Sequence, residues 1–155
     1  MAYLTGADNP PPGSCVFCAK LTAPDDKEHM LARGQLACVT LNRYPYNNGH
    51  LMVLPYAHVA SLENLDPPTL AELMLLTNRG LGALRKAYRP DGFNIGVNLG
   101  QAAGAGITDH VHIHIVPRWN GDTNFMPIVG ETRVIPETLD QTYARLRPLF
   151  DELGK

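Results

Sequence analysis

The stretch HVHIHIVPRW, residues 110–119, sets His110, His112 and His114 at alternate positions of an apolar run. Imidazole changes charge near neutral pH, attacks as the neutral base, and binds metal through one nitrogen while an acceptor holds the other. In a strand, successive side chains point to opposite faces, so the three histidines share one face and Val111, Ile113 and Ile115 fill the other. Lys, Glu or Thr would serve solvation as well, so three imidazoles in register call for chemistry. Strand residues four apart are separated by about 13 Å of rise. Two nitrogens on one zinc ion lie no more than ~4.2 Å apart. One ion can therefore take neighbours of the set but hardly all three. Nucleophilic and acid–base work remains: His112, expected between two other imidazoles, suits attack on an electrophile, and His114 suits donation to the oxygen that gains charge.

A second group is Cys15-Val-Phe-Cys18, whose C-x-x-C spacing is that of a zinc knuckle in need of two further ligands. No helix pattern follows Cys18, which argues against a thioredoxin-like redox pair. Cys38, inside LACVTL, reads as a small buried filler. Gly100, Gly104 and Gly106 lead straight into the triad segment, where glycine lets the backbone approach an anion and turn N–H groups toward it. His29, in the charged run DDKEHM, reads as solvated surface. Trp119 reads as an exposed ring edge available to stack on a base.

The elements that must position these groups follow from periodicity. Residues 35–41 and 50–55 are short apolar runs around NRYPYNNG, a turn-rich sequence, and so form a hairpin. Asp66 caps a helix over 67–88, with Pro67 in its first turn and Leu70, Leu73, Met74, Leu81, Leu84 and Tyr88 at helical spacing. A strand is expected at 93–100 and the histidine strand at 110–116, with a last helix from Pro136 that Pro148 should kink or end. Hairpin, helix, hairpin, helix describes an α+β domain, an antiparallel sheet of about five strands with helices packed on it. One domain is expected over 1–155, with 1–14, including NPPPG, as an extended lead-in.

Length and charge set limits. A chain of 155 residues with net charge −2 has no bulk attraction to nucleic acid or anionic membrane, so any phosphate must be held locally. The N-terminus shows no secretory pattern and no apolar run nears the roughly 20 residues that cross a bilayer, so a cytoplasmic location is expected.

The segment HVHIHIVP fits His-φ-His-φ-His-φ-φ, where φ is apolar, and resembles the histidine triad (HIT) family of nucleotide hydrolases and transferases. The likeness extends upstream through LNRYPYNNGHLMVLPYAHVASLENL and to CVFC, which is similar to the Cys pair of zinc-bearing branches. The resemblance implies that His112 attacks the α-phosphorus of a nucleotide and carries a nucleotidyl intermediate, and that His114 contacts the phosphate or leaving group. It implies that Asn42 and His50 lie near the nucleoside and the nucleophile, and that the segment from Asn98 through Gly104, Ala105 and Gly106 embraces the phosphates. Cys15, Cys18, His58 and His110 would hold a structural zinc ion, and the protein would be a homodimer. PRW followed by GDTNF looks like the diadenosine tetraphosphate phosphorylase type of the family, with phosphate or water as acceptor. Ala105-Gly106, where that type can carry a hydroxyl residue, puts the phosphate step in question. A dinucleotide hydrolase, a nucleoside phosphoramidase, a nucleotide-binding regulator, and an enzyme with zinc at its reaction centre stand as the alternatives.

Overall fold

The structure is a computed structural model, and it describes residues 14–122 and 137–154. In chain order the elements are α1 (Val16–Thr22), β1 (Met30–Arg33), β2 (Ala37–Leu41), β3 (Leu51–Pro55), α2 (Pro67–Tyr88), β4 (Gly92–Val97), β5 (Ile113–Arg118) and α3 (Leu139–Leu153). The five strands make one antiparallel sheet in the order β1-β2-β3-β5-β4. This is the α+β architecture expected from the sequence, with α1 and β1 in addition. A seven-residue helix is too short to declare itself by periodicity. The MLAR strand is masked in the sequence by the charged run before it.

Side chains of alternate parity build a core on each face of the sheet. Val39, Leu41, Leu51, Val53, Ile113 and Ile115 pack with Leu73, Leu76 and Leu84 of α2 and with Leu146 and Phe150 of α3. On the opposite face Cys38, Met52 and Leu54 join Met30 and Phe17, and Phe17 comes from α1. The first core is the larger, and it frees the second face for polar chemistry beside α1.

The ends of α2 fall at 67 and 88 as the sequence predicts, because the Asp66 carboxylate accepts from the Thr69 N–H at 3.0 Å and Arg89 takes a left-handed conformation. The buried stripe is Leu73, Leu76, Thr77, Gly80, Ala83 and Leu84, while Met74, counted with the core by its spacing, is 53% exposed. The last helix starts at Leu139, with Thr138 and Gln141 forming a reciprocal capping box, and it runs through Pro148 instead of ending there. Pro148 removes the bond that Ala144 would accept, but both residues are exposed, so water can take the freed carbonyl. Leu146 and Phe150 on the buried side keep the helix seated.

Candidate functional site

The expected histidine strand over 110–116 is shifted: β5 begins at Ile113, and His110 to His112 lie before it. The register pairs Met52 with His114 and Val53 with Ile113, then the ladder stops as β3 runs toward Pro55, which has no N–H to give. Other bonds hold the lead-in. The Val111 N–H donates to the Val59 carbonyl at 2.7 Å, and the His110 ring donates through Nε2 to the Pro55 carbonyl at 2.9 Å. The histidines are also less open than a solvated sheet face. His110 is fully buried and His112 is 6% exposed, so the nucleophile candidate presents only an edge.

Hydrogen bonds fix the tautomers. A carbonyl can only accept, so the 2.9 Å contact between His112 Nδ1 and the His110 carbonyl puts the proton on Nδ1 and the lone pair on Nε2. A backbone N–H can only donate, so the 3.0 Å contact from Tyr46 N to His50 Nδ1 leaves the His50 proton on Nε2. That proton is given to His114 Nδ1 at 2.9 Å, which leaves His114 neutral with its own N–H on Nε2. A lone pair on one ring and an N–H on the next, at 4.7 Å between centroids, is the pairing that nucleophilic attack with charge stabilisation requires. Burial keeps these rings uncharged. It pushes His50 down to about 3, helped by His114 and His112, and His114 down to about 4, helped by His112. Burial lowers His112 as well, against the opposing effect of its bond to the His110 carbonyl.

Among the described residues, the ring contacts of His112 include one imidazole, His114, where two were expected. The ring on its other side is Phe17, at 4.8 Å and 61°, which also meets the His110 ring at 5.5 Å and 76°. Tyr46 is a second unforeseen neighbour, its ring 4.7 Å from that of His50 and 6.2 Å from that of His114. The sequence marks Phe17 only as a spacer between cysteines and Tyr46 only as a turn residue.

Cys15, Cys18, His58 and His110 come together as a group that can hold a metal ion, their ligand atoms all within 4.8 Å of one another. Cys18 Sγ lies 3.4 Å from His58 Nδ1, and His110 Nδ1 lies 3.5 Å from Cys15 Sγ and 3.7 Å from Cys18 Sγ. The Pro55 carbonyl holds the far nitrogen of His110, so Nδ1 is the atom the ring can offer to an ion. A helix does follow the first cysteine: Cys15 is the N-cap of α1 and Cys18 lies in its first turn, which orients both thiols from one short segment. Cys38 stands apart, fully buried, with its thiol pushed up to about 12 by burial.

The remaining expected residues divide. Asn42 lies beside His50, its amide nitrogen 3.4 Å from the ring, while its carbonyl oxygen accepts from the Tyr44 N–H and so shapes the turn. Asn98 follows β4, and Gly100 and Gly104 adopt positive φ of 79° and 87°, which explains glycine at both. The N–H groups of Gly104 and Ala105 donate to the carbonyls of Gln101 and Gly100 within the loop, so they are occupied locally and do not point as a set toward an anion. A Cβ at Gly106 would meet open space. Trp119 is half-buried beyond the end of β5, its backbone N–H donating to the Asp122 carboxylate, and no described contact brings its ring to the histidines. His29 is not solvated surface: at 18% side-chain exposure, it pairs with Asp140 of α3 at 2.7 Å and packs against Tyr143.

An antiparallel sheet bearing buried, tautomerically fixed histidines beside a two-Cys, two-His cluster defines a small α+β protein with a histidine site on one sheet face. The chain belongs to the HIT family: the HIT domain model matches residues 24–121. It is 48% identical over 118 residues to AP-4-A phosphorylase of Mycobacterium tuberculosis, a match covering 76% of this chain and 60% of that protein. The match thus spans less than two thirds of that relative's length. It is 33% identical over 107 residues to adenosine 5'-monophosphoramidase of Schizosaccharomyces pombe, covering 69% of this chain and 76% of that one. Among solved structures, a Zn-bound histidine triad family protein from Mycobacterium smegmatis superposes with a TM-score of 0.73 at 29% identity, covering 91% of this chain and 96% of the other. Among the described residues, no helix is long and apolar enough to cross a membrane.

Proposed function

We propose that the protein is a cytoplasmic nucleotidyl transferase that acts on a dinucleoside polyphosphate such as diadenosine tetraphosphate through a covalent nucleotidyl-His112. The observation that carries this reading is the tautomer set: a lone pair on His112 Nε2 beside an N–H on His114 Nε2. Nε2 of His112 forms a bond to the α-phosphorus as the bond from phosphorus to the bridging oxygen breaks, and ATP leaves. The positive charge on the modified ring is shared through Nδ1–H with the His110 carbonyl, and His114 donates a hydrogen bond to the phosphate oxygens. A polyphosphate departs as a stable anion and needs no proton. An amine leaving group would need one, which a neutral His114 holds too tightly, so a phosphoanhydride substrate fits better than a phosphoramidate. Inorganic phosphate then attacks the nucleotidyl phosphorus, releasing ADP and the free ring; water in its place releases AMP. The 48% identity to a protein named for phosphorolysis favours phosphate.

Asn42, His50, Asn98, the 104–106 loop and Trp119 are assigned to nucleotide binding, and Cys15, Cys18, His58 and His110 to a structural zinc ion. Tetrahedral thiolate and imidazole ligands around zinc stand about 3.6 Å apart, from bond lengths near 2.3 and 2.05 Å. The sulfur–nitrogen separations of 3.4, 3.5 and 3.7 Å fit that edge. Bound there, the ion would tie α1 to the end of the triad segment with no open position for chemistry. The whole chain is read as one domain that pairs as a homodimer. Edge strand β4, GFNIGV, carries neither charge nor proline and exposes Ile95 by 47%, an edge suited to pairing with a second copy.

The test is incubation with diadenosine tetraphosphate with and without phosphate, with product identification. ADP and ATP formed only with phosphate support transfer to phosphate. AMP and ATP formed without it assign water as acceptor, and no product in either arm overturns the reading.

A further inference from the structure

The C-x-x-C segment does more than supply two thiols. Between them stands Phe17, 4% exposed, in a small core with Met30, Cys38, Met52 and Leu54. Its ring meets that of His112 edge-on at 4.8 Å, and the His114 ring meets the other side of His112 at 4.7 Å and 70°. His112 thus contacts two rings and, among the described residues, has one hydrogen bond, from Nδ1 to the His110 carbonyl, to set its rotation. A hydrogen bond at one nitrogen leaves an imidazole able to rock about its Cβ–Cγ bond, and two rings packed against it at steep angles, 61° and 70°, restrict that freedom. Cys15 is the N-cap and Cys18 the third residue of α1, so clamping both thiols fixes the turn that carries Phe17.

We infer that Phe17 is a positioning residue for the reaction: seated by the flanking cysteines, its ring walls the inner side of His112 and holds Nε2 in its line of attack. The assignment rests on His112 as nucleophile. It makes the Cys-His cluster an alignment device for the neighbouring ring as well as an anchor, because the peptide that ligates is the peptide that walls. The effect belongs to the bond-forming step and not to substrate affinity, since Phe17 lies behind the ring and has almost no surface to offer a ligand. Misplacement of a reacting atom by about an ångström costs up to on the order of a hundredfold in rate.

The experiment compares zinc-loaded wild type with Phe17→Leu, which keeps apolar bulk without the flat ring, and with Phe17→Ala. Zinc content, thermal midpoint, KM for diadenosine tetraphosphate and the single-turnover rate of nucleotidyl-His112 formation are measured for each. The expected result is retained zinc, KM within about threefold, and adduct formation slowed by roughly ten- to a hundredfold, with Phe17→Tyr restoring most of the rate. Wild-type rates in both Leu and Ala variants overturn the assignment. So does a rate that falls only in step with zinc, since Phe17 would then serve the metal site alone. If the wild type itself forms no adduct, the nucleotidyl-transfer reading has failed, and Phe17 is judged by carbethoxylation of His112 with diethyl pyrocarbonate, mapped by peptide mass spectrometry. A several-fold change in that rate in Phe17→Leu supports the positioning role, and an unchanged rate overturns it.

Discussion

The main-chain carbonyl of His110 accepts a hydrogen bond from Nδ1 of His112 at 2.9 Å. The residue whose ring faces the thiol pair therefore also decides which nitrogen of His112 carries a lone pair. Backbone position and tautomer are set by one residue, and the bond needs no partner side chain. Replacing His112 by Asn keeps a polar group of smaller volume in the pocket but removes the proposed nucleophile. The expected outcome is loss of turnover by at least ~1000-fold, with no nucleotidyl adduct by intact-protein mass spectrometry, while circular dichroism stays that of the wild type. An adduct on the variant would relocate the nucleophile.

His50 is the middle of the relay from the Tyr46 N–H to His114 Nδ1. In His50→Leu the relay is cut: the Tyr46 N–H loses its acceptor and His114 is free to change tautomer. Tyr46 is 42% exposed and this bond is only part-buried, so water can take up part of the loss and the stability cost is expected to be about 1 kcal/mol. The single-turnover rate is expected to fall by roughly ten- to a hundredfold as the oxygen-facing N–H is no longer fixed. Denaturant titration and rapid-quench kinetics measure the two effects, and a fully active variant would remove His50 from the site's function.

How much of this was legible in the sequence depended on how far each signal reaches. The alternating histidines and the 22-residue helix of α2 announce themselves because period and capping act within a few residues. The two-Cys, two-His group was recovered through family likeness, since nothing local connects His58 with Cys18, 40 residues away. Phe17 and Tyr46 were missed because their partners, His112 and His50, lie across the fold, and each also has a bland local reading. The start of β5 was misplaced for a physical reason: side-chain alternation continues through residues 110–112, but a ladder also needs partners, and β4 ends at Val97, opposite Ile113, while pairing with β3 stops at Val53, two residues before Pro55, which has no N–H. The loop's backbone donors were not legible in the same way. Glycines do permit a backbone to gather N–H groups around an anion, but those of Gly104 and Ala105 satisfy carbonyls of their own turn.

The two-Cys, two-His group joins three separated segments, so metal removal should act first on stability. Chelation, or Cys18→Ser, is expected to lower the thermal midpoint by roughly 5 °C or more and to release about one zinc equivalent per chain. Scanning calorimetry and metal analysis provide the readouts. Unchanged stability after complete metal loss would contradict an anchoring role and move attention to a metal at the reaction centre.

Buried neutral histidines make the fold acid-sensitive in a defined window. His50 and His114 are held near 3 and 4, from the ordinary 6.5, by burial first and by neighbouring histidines second. In the unfolded chain both rings take up protons as pH falls through about 6.5, while the folded chain refuses them until it nears 4 and then 3. The unfolded state therefore binds more protons throughout that interval. The stability associated with these rings is complete above about 6.5 and is lost steadily on acidification toward 4. Urea midpoints at pH 7.5, 6.0 and 5.0 should decline in that order, and His50→Leu, although less stable at pH 7.5, should show a shallower decline because one of the two groups no longer titrates. A wild-type slope no steeper than that of the variant would show that His50 is not held neutral by its surroundings, and the fixed proton on His114 Nε2 would then lose its structural basis.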